Sequence, residues 1–155
     1  MLQRIQSIFL IITAASIAVF LGTNSFVKAI GPTEKVAVNA FHVYHQSGEM
    51  ALIDKPIYYV AVLAGLALIL TIYTIFQYKN RLKQVLLISI ISLFMGSALA
   101  VVVYHIQKDA LPLGTGEGSY TFGTWAAFVA MVSNLLANRF IKRDEKLVKD
   151  ADRMR

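Results

Sequence analysis

The chain alternates between long apolar runs and short polar intervals. Ile5–Leu21, Ile57–Phe76 and Val85–Tyr104 carry no charged residue, and Phe122–Phe140 carries none until Arg139. At about 1.5 Å of rise per residue, about 20 helical residues cover roughly 30 Å, the thickness of a bilayer's hydrocarbon core. Buried helices of soluble domains seldom run so far without a charge. The pattern predicts an all-α membrane protein, a single domain with four transmembrane helices in an antiparallel bundle. The spans fall at about residues 5–23, 57–77, 83–105 and 120–141.

The intervals between the runs differ in character. Residues 77–84 (QYKNRLKQ) are short and polar, so the second and third spans form a tight hairpin. The first loop, 24–55, is longer and contains KVAVNAFHVYH (Lys35–His45), rich in β-branched and aromatic residues that favour strands. QSGE (Gln46–Glu49) then reads as a turn and MALI (Met50–Ile53) as a returning strand. A small extracytoplasmic β-hairpin is expected here. An isolated two-stranded hairpin is marginal in water, so it should pack on the third loop or on a partner. That third loop, LPLGTGEGSYTFG (Leu111–Gly123), has glycines without the G-x-G-x-x-G spacing of a phosphate-binding turn and reads as a flexible linker.

Charge assigns the sides. Only 15% of the 155 residues are charged, against about 25% in a soluble domain. Eleven of the fifteen Lys and Arg residues lie in the N-terminus, the 77–84 turn and the tail from Arg139 onward, leaving Lys28, Lys35, Lys55 and Lys108 on the other side. Basic residues of short loops accumulate on the cytoplasmic side. Both termini are therefore expected on the cytoplasmic side, with loop 24–55 outside. Tyr58, Tyr59, Tyr104, Tyr120, Phe122 and Trp125 fall at the outer borders, and Tyr73 and Tyr78 at the inner end of the second span. Amphipathic rings favour that layer. Arg4 before an apolar run resembles a signal peptide, but the small residues Ala14, Ala15 and Ala18 lie inside the run, so the segment is read as a retained span.

Candidate chemistry is sparse. No cysteine is present, which excludes thiolate chemistry. No span has a charge at its centre, which argues against a proton-coupled pump or ion exchanger. Small and amide side chains recur every four residues: Ser92, Gly96 and Ala100 on the third span, Ala126, Ala130, Asn134 and Asn138 on the fourth, with Ala61 and Gly65 on the second. Such stripes let helix backbones approach and hydrogen-bond, and helix packing is the expected role. A polar groove between the third and fourth spans is the alternative. His42, His45 and His105 all fall on the outer side, and a three-histidine zinc or copper site is chemically reasonable. Two histidines three apart on a strand point to opposite faces, however, and no nearby carboxylate stands out as a supporting partner. No catalytic triad, paired-carboxylate spacing or nucleotide motif is present, so no enzyme activity and no cofactor are expected. The net charge of +6 is explained by sidedness and is not a nucleic-acid signal.

The tail RFIKRDEKLVKDADRMR has eleven charged residues in seventeen. Continued as a helix, Phe140, Leu147, Ala151 and Met154 form an apolar stripe, with Val148 beside it and Arg143 and Lys146 among the basic residues around it. Four interleaved acids are more than anchoring requires. An amphipathic cytoplasmic helix (142–155) docking on a protein partner or lying on the inner leaflet is expected.

The two ends of the chain, MLQRIQSIFLIITA and RFIKRDEKLVKDADRMR, resemble the signatures of an uncharacterised family of small four-helix bacterial inner-membrane proteins, classed as a domain of unknown function. The likeness is specific at Gln3–Gln6 and at Ile141–Arg155. It implies a multi-pass membrane protein and no catalytic residues. The expected role is a non-catalytic accessory or assembly subunit with a membrane-protein partner or a second copy in the bilayer. The rivals are a small-molecule or lipid binding or transport module and a metal-binding enzyme or redox subunit.

Overall fold

The computed structural model describes residues 2–48, 50–77 and 80–153, with side chains described over 5–48, at 50, and over 55–77 and 80–147. The apolar runs form four helices: α1 (Leu2–Gly22), α2 (Tyr58–Phe76), α3 (Arg81–His105) and α4 (Phe122–Arg153). Consecutive helices pack against one another and α4 returns to α1, so the bundle closes as a four-membered ring. Among the described residues, three helices are long and apolar enough to cross a membrane: Ile5–Gly22, Tyr58–Phe76 and Arg81–Ala110. α4 is not among the three, because Ser133, Asn134, Asn138 and Arg139 interrupt its apolar run.

Local chemistry sets the turns. Asn80 caps α3, its Oδ1 accepting from the Lys83 N–H at 3.3 Å. Buried Gln84 donates from Nε2 to the Thr74 carbonyl at 3.2 Å, which ties α3 to the end of α2. Inside α2, the buried Thr71 and Thr74 hydroxyls donate to the carbonyls of Ala67 and Leu70, so neither needs an external partner. Phe9 and Phe140 stack at 5.4 Å, pairing the start of α1 with the far part of α4. Leu10, Ile88, Ala137 and Ile141 form a small core beside them.

The expected two-stranded hairpin is a five-stranded antiparallel sheet: β1 (Phe26–Ala29), β2 (Glu34–Val38), β3 (His42–Ser47), β4 (Met50–Pro56) and β5 (Gly118–Tyr120), in the order β4-β3-β2-β1-β5. The run Lys35–His45 is broken at Asn39, whose Oδ1 accepts from the Phe41 and His42 N–H groups at 2.8 and 2.7 Å. That side-chain turn makes two strands from one apolar run. Glu49, part of the expected QSGE turn, lies outside the described residues, as do Tyr78, Lys79 and Met154.

The third loop is no loose linker. Its segment 118–120 pairs with β1 in the register Phe26↔Tyr120, Val27↔Ser119, Lys28↔Gly118. A Cβ added at Gly116 would sit 1.6 Å from the Ala29 carbonyl oxygen, and one at Gly118 would sit 2.2 Å from the Phe26 ring. These glycines permit close approach to β1. One face of the sheet joins the helical core, where Phe26, Val36, Val38 and Val43 pack with Ile17, Phe20, Ile57 and Val60. Each such side chain contributes about 1.5–3 kcal/mol by leaving water.

Candidate functional site at the sheet end of the bundle

β4 runs directly into α2, and α3 ends in a π-helical turn, Ile106–Ala110, closed by the Leu111 N–H donating to the Ile106 carbonyl at 2.8 Å. These junctions bring Lys55, Tyr59, His105 and Asp109 together. His105 is 3% exposed. Its Nδ1 lies 2.5 Å from Asp109 Oδ2, and its Nε2 is hydrogen-bonded to the Tyr59 hydroxyl. Lys55 Nζ reaches the same Asp109 oxygen at 3.3 Å. With the carboxylate ionised, Nδ1 carries its proton toward Asp109, and in a neutral ring Nε2 then accepts from Tyr59. The result is a four-member polar chain joining the sheet, α2 and α3.

Beside it lies a cavity of about 410 Å³ lined by Val43, Lys55, Lys108, Asp109, Pro112 and Leu113. Lys108 donates to the Tyr104 hydroxyl at 2.9 Å and its ammonium lies 5.3 Å from the centroid of that ring. Behind the Pro112–Leu113 wall, the buried Lys28 ammonium donates to the carbonyls of Leu111 at 2.6 Å and Gly114 at 3.0 Å. It holds the carbonyls that follow the helix end, where a cation is favoured.

The three histidines do not converge. His42 Nε2 meets the Tyr58 hydroxyl at 2.8 Å, His45 Nε2 lies 3.9 Å from Glu34 Oε2, and His105 belongs to the chain just described. Among the described residues no group of three His, Asp or Glu side chains is placed to hold a metal ion. Tyr58 and Tyr59, neighbours on one helical turn, serve different histidines. The sequence reading missed Asp109 as the partner of His105. The H-x-x-x-D spacing was the available signal, since residues four apart share a helix face.

Elsewhere the small-residue positions divide. Asn134 is buried and donates from Nδ2 to the Ile88 carbonyl at 3.0 Å and to Ser92 Oγ at 2.8 Å, joining α4 to α3. Ala130 is buried and Ala126 partly so. Gly96 has nothing within 4 Å of where a Cβ would stand, and Ala100 is exposed, so the α3 stripe does not follow one packing face. On α2 the buried alanines are Ala64 and Ala67, with Ala61 and Gly65 half-buried. In the tail, Phe140 stacks on Phe9 within the bundle, Leu147 is exposed, and so are Arg143 and Lys146. The Ala151 side chain lies outside the described set. Asp144 accepts from Arg81 at 2.9 Å, fixing the first turn of the extension against the start of α3.

A search of curated protein sequences finds no match. A family model described as a domain of unknown function matches residues 2–154, and the chain belongs to that family, DUF4293.

Proposed function

We propose that the protein is an integral membrane protein with all four helices in the bilayer of a bacterial inner membrane. In this reading the termini are cytoplasmic, and the chain serves as a non-catalytic accessory or assembly subunit. The fourth span is supported by its pairing with α1: Phe140 on Phe9, and Ala137 and Ile141 with Leu10, set that stretch of α4 at the depth of α1. The eleven-to-four distribution of basic residues supports the orientation.

One observation carries the accessory role. Among the described residues β4 pairs with β3 alone, leaving a seven-residue edge that begins at exposed Met50. An open edge accepts a strand from another chain, which suits a protein that holds a partner outside the bilayer. The test is purification in mild detergent with identification of co-purifying proteins. Met50→Lys, which places a charge at the edge, should lose an extracytoplasmic partner, while Leu147→Asp should lose a cytoplasmic one. If both variants keep every partner of the unaltered protein, the accessory reading fails.

A second reading, a small-molecule or lipid binding module, has its own support. An apolar cavity of about 210 Å³ lies at the junction of α3 and α4, lined by Val103, Tyr120, Thr124, Trp125 and Phe128. Native mass spectrometry of the detergent-solubilised protein should then find a bound molecule that Phe128→Trp displaces.

A further inference from the structure

We infer that the cavity between β3, β4 and the turn after α3 binds an oxyanion carried on an apolar stem, such as an alkyl phosphate. Four observations converge. The first is size: about 410 Å³ lies within the range of sites for small ligands, roughly 300–1,000 Å³. The second is charge. Two ammonium groups, Lys55 and Lys108, and one carboxylate, Asp109, line the cavity, a net +1 from two positive charges less one negative.

The third is how that charge is used. Asp109 Oδ2 is engaged by Lys55 and by His105. Lys108 has a neutral phenol as its hydrogen-bond partner and no ion pair among the described residues. Of the two lining cations, Lys108 is therefore the one without a direct ion pair. An anion there gains a charge-assisted hydrogen bond without displacing a carboxylate.

The fourth is rigidity and shape. Val43, Pro112 and Leu113 supply the apolar wall. The turn carrying Pro112 and Leu113 is held from behind by the two Lys28 bonds, and Asp109 by His105 and Lys55. A preformed wall spares the ligand the cost of ordering it. Cation beside hydrocarbon selects a ligand built the same way.

A free organic phosphate and the headgroup of an anionic phospholipid both present this chemistry. The bilayer source rests on the spanning reading above; the site does not. Binding is measured by isothermal titration on the full chain in a zwitterionic detergent. The probes are hexyl phosphate, inorganic phosphate, dihexanoyl phosphatidylglycerol and dihexanoyl phosphatidylcholine. Hexyl phosphate should bind saturably and more tightly than inorganic phosphate, because the stem meets the apolar wall. Lys108→Gln and Lys55→Gln should each weaken it about fivefold or more. Lys35→Gln, an exposed lysine on β2, should leave it unchanged. Tight phosphatidylglycerol binding with weak phosphatidylcholine binding identifies the lipid source; hexyl phosphate binding without either lipid identifies a free ligand. Absence of saturable hexyl phosphate binding, or equal affinity in Lys108→Gln and the unaltered chain, overturns the proposal. Lys108 is exposed, so its substitution tests the site without unfolding the protein. Loss of a co-purifying partner in Met50→Lys bears on the accessory role alone.

Discussion

At the scale of single residues, His105 is the most committed side chain at the sheet end. It is almost fully buried, and both ring nitrogens are in use. His105→Leu keeps the volume and removes both bonds, leaving Tyr59 and Asp109 to find other partners. The expected cost is about 1–3 kcal/mol, read as a lower thermal midpoint in detergent. His105→Gln, which can both donate and accept, should recover part of it. Gly116 gives a second test. An added methyl would overlap the Ala29 carbonyl, so Gly116→Ala should cost about 1–3 kcal/mol, whereas Gly22→Ala, with nothing within 4 Å, should change little. The glycine run was legible as a break in helix pattern, but not as a strand partner. The demand comes from β1, more than 80 residues earlier, and composition carries no trace of that neighbour.

At the scale of elements, the helices were readable because an uncharged run of bilayer length seldom folds as anything but a helix. The sheet was readable only in part. β-branched residues marked Lys35–His45 as extended, yet Asn39 folds it back through its own side chain, and the alternation of apolar residues does not encode that reversal. Pairing of β1 with β5 is long-range and depends on tertiary contacts. Small-residue stripes have the same weakness, since four-residue spacing fits several faces of a helix. The buried face of α3 runs through Ile88, Ile91, Met95, Ala98, Leu99 and Val102. Gly96→Leu should therefore be tolerated to within about 0.5 kcal/mol in detergent unfolding. Asn134→Leu removes the bonds to Ile88 and Ser92 and should cost about 0.6–2 kcal/mol. The reverse ranking would show that α3 and α4 associate through the other face.

At the scale of the whole molecule, α4 has 32 residues and so is about 48 Å long, against roughly 30 Å of hydrocarbon. If α4 spans as proposed, the surplus is about twelve residues, which matches the helix beyond Ile141. Orientation can be tested in this cysteine-free chain by single cysteines and an impermeant thiol reagent. Ser47→Cys should label in intact spheroplasts, and Lys83→Cys only after lysis. The opposite pattern would invert the topology.

The sheet end of the bundle also ties the start of α4 to the segment that follows α1. The Thr121 hydroxyl donates to the Asn24 carbonyl, Thr124 Oγ1 donates to the Ser25 carbonyl at 2.8 Å, and the Gly123 N–H donates to Asn24 at 3.0 Å. A ribosome delivers residues 24–56 long before residues 118–124, so β1 to β4 are all synthesised before the β5 partner of β1 exists. Arrival of β5 covers the β1 edge and latches α4 to the segment after α1 in the same step. A chain stopped before residue 118 lacks the β5 partner of β1 and so presents an open strand edge, the kind of surface that marks an unfinished fold.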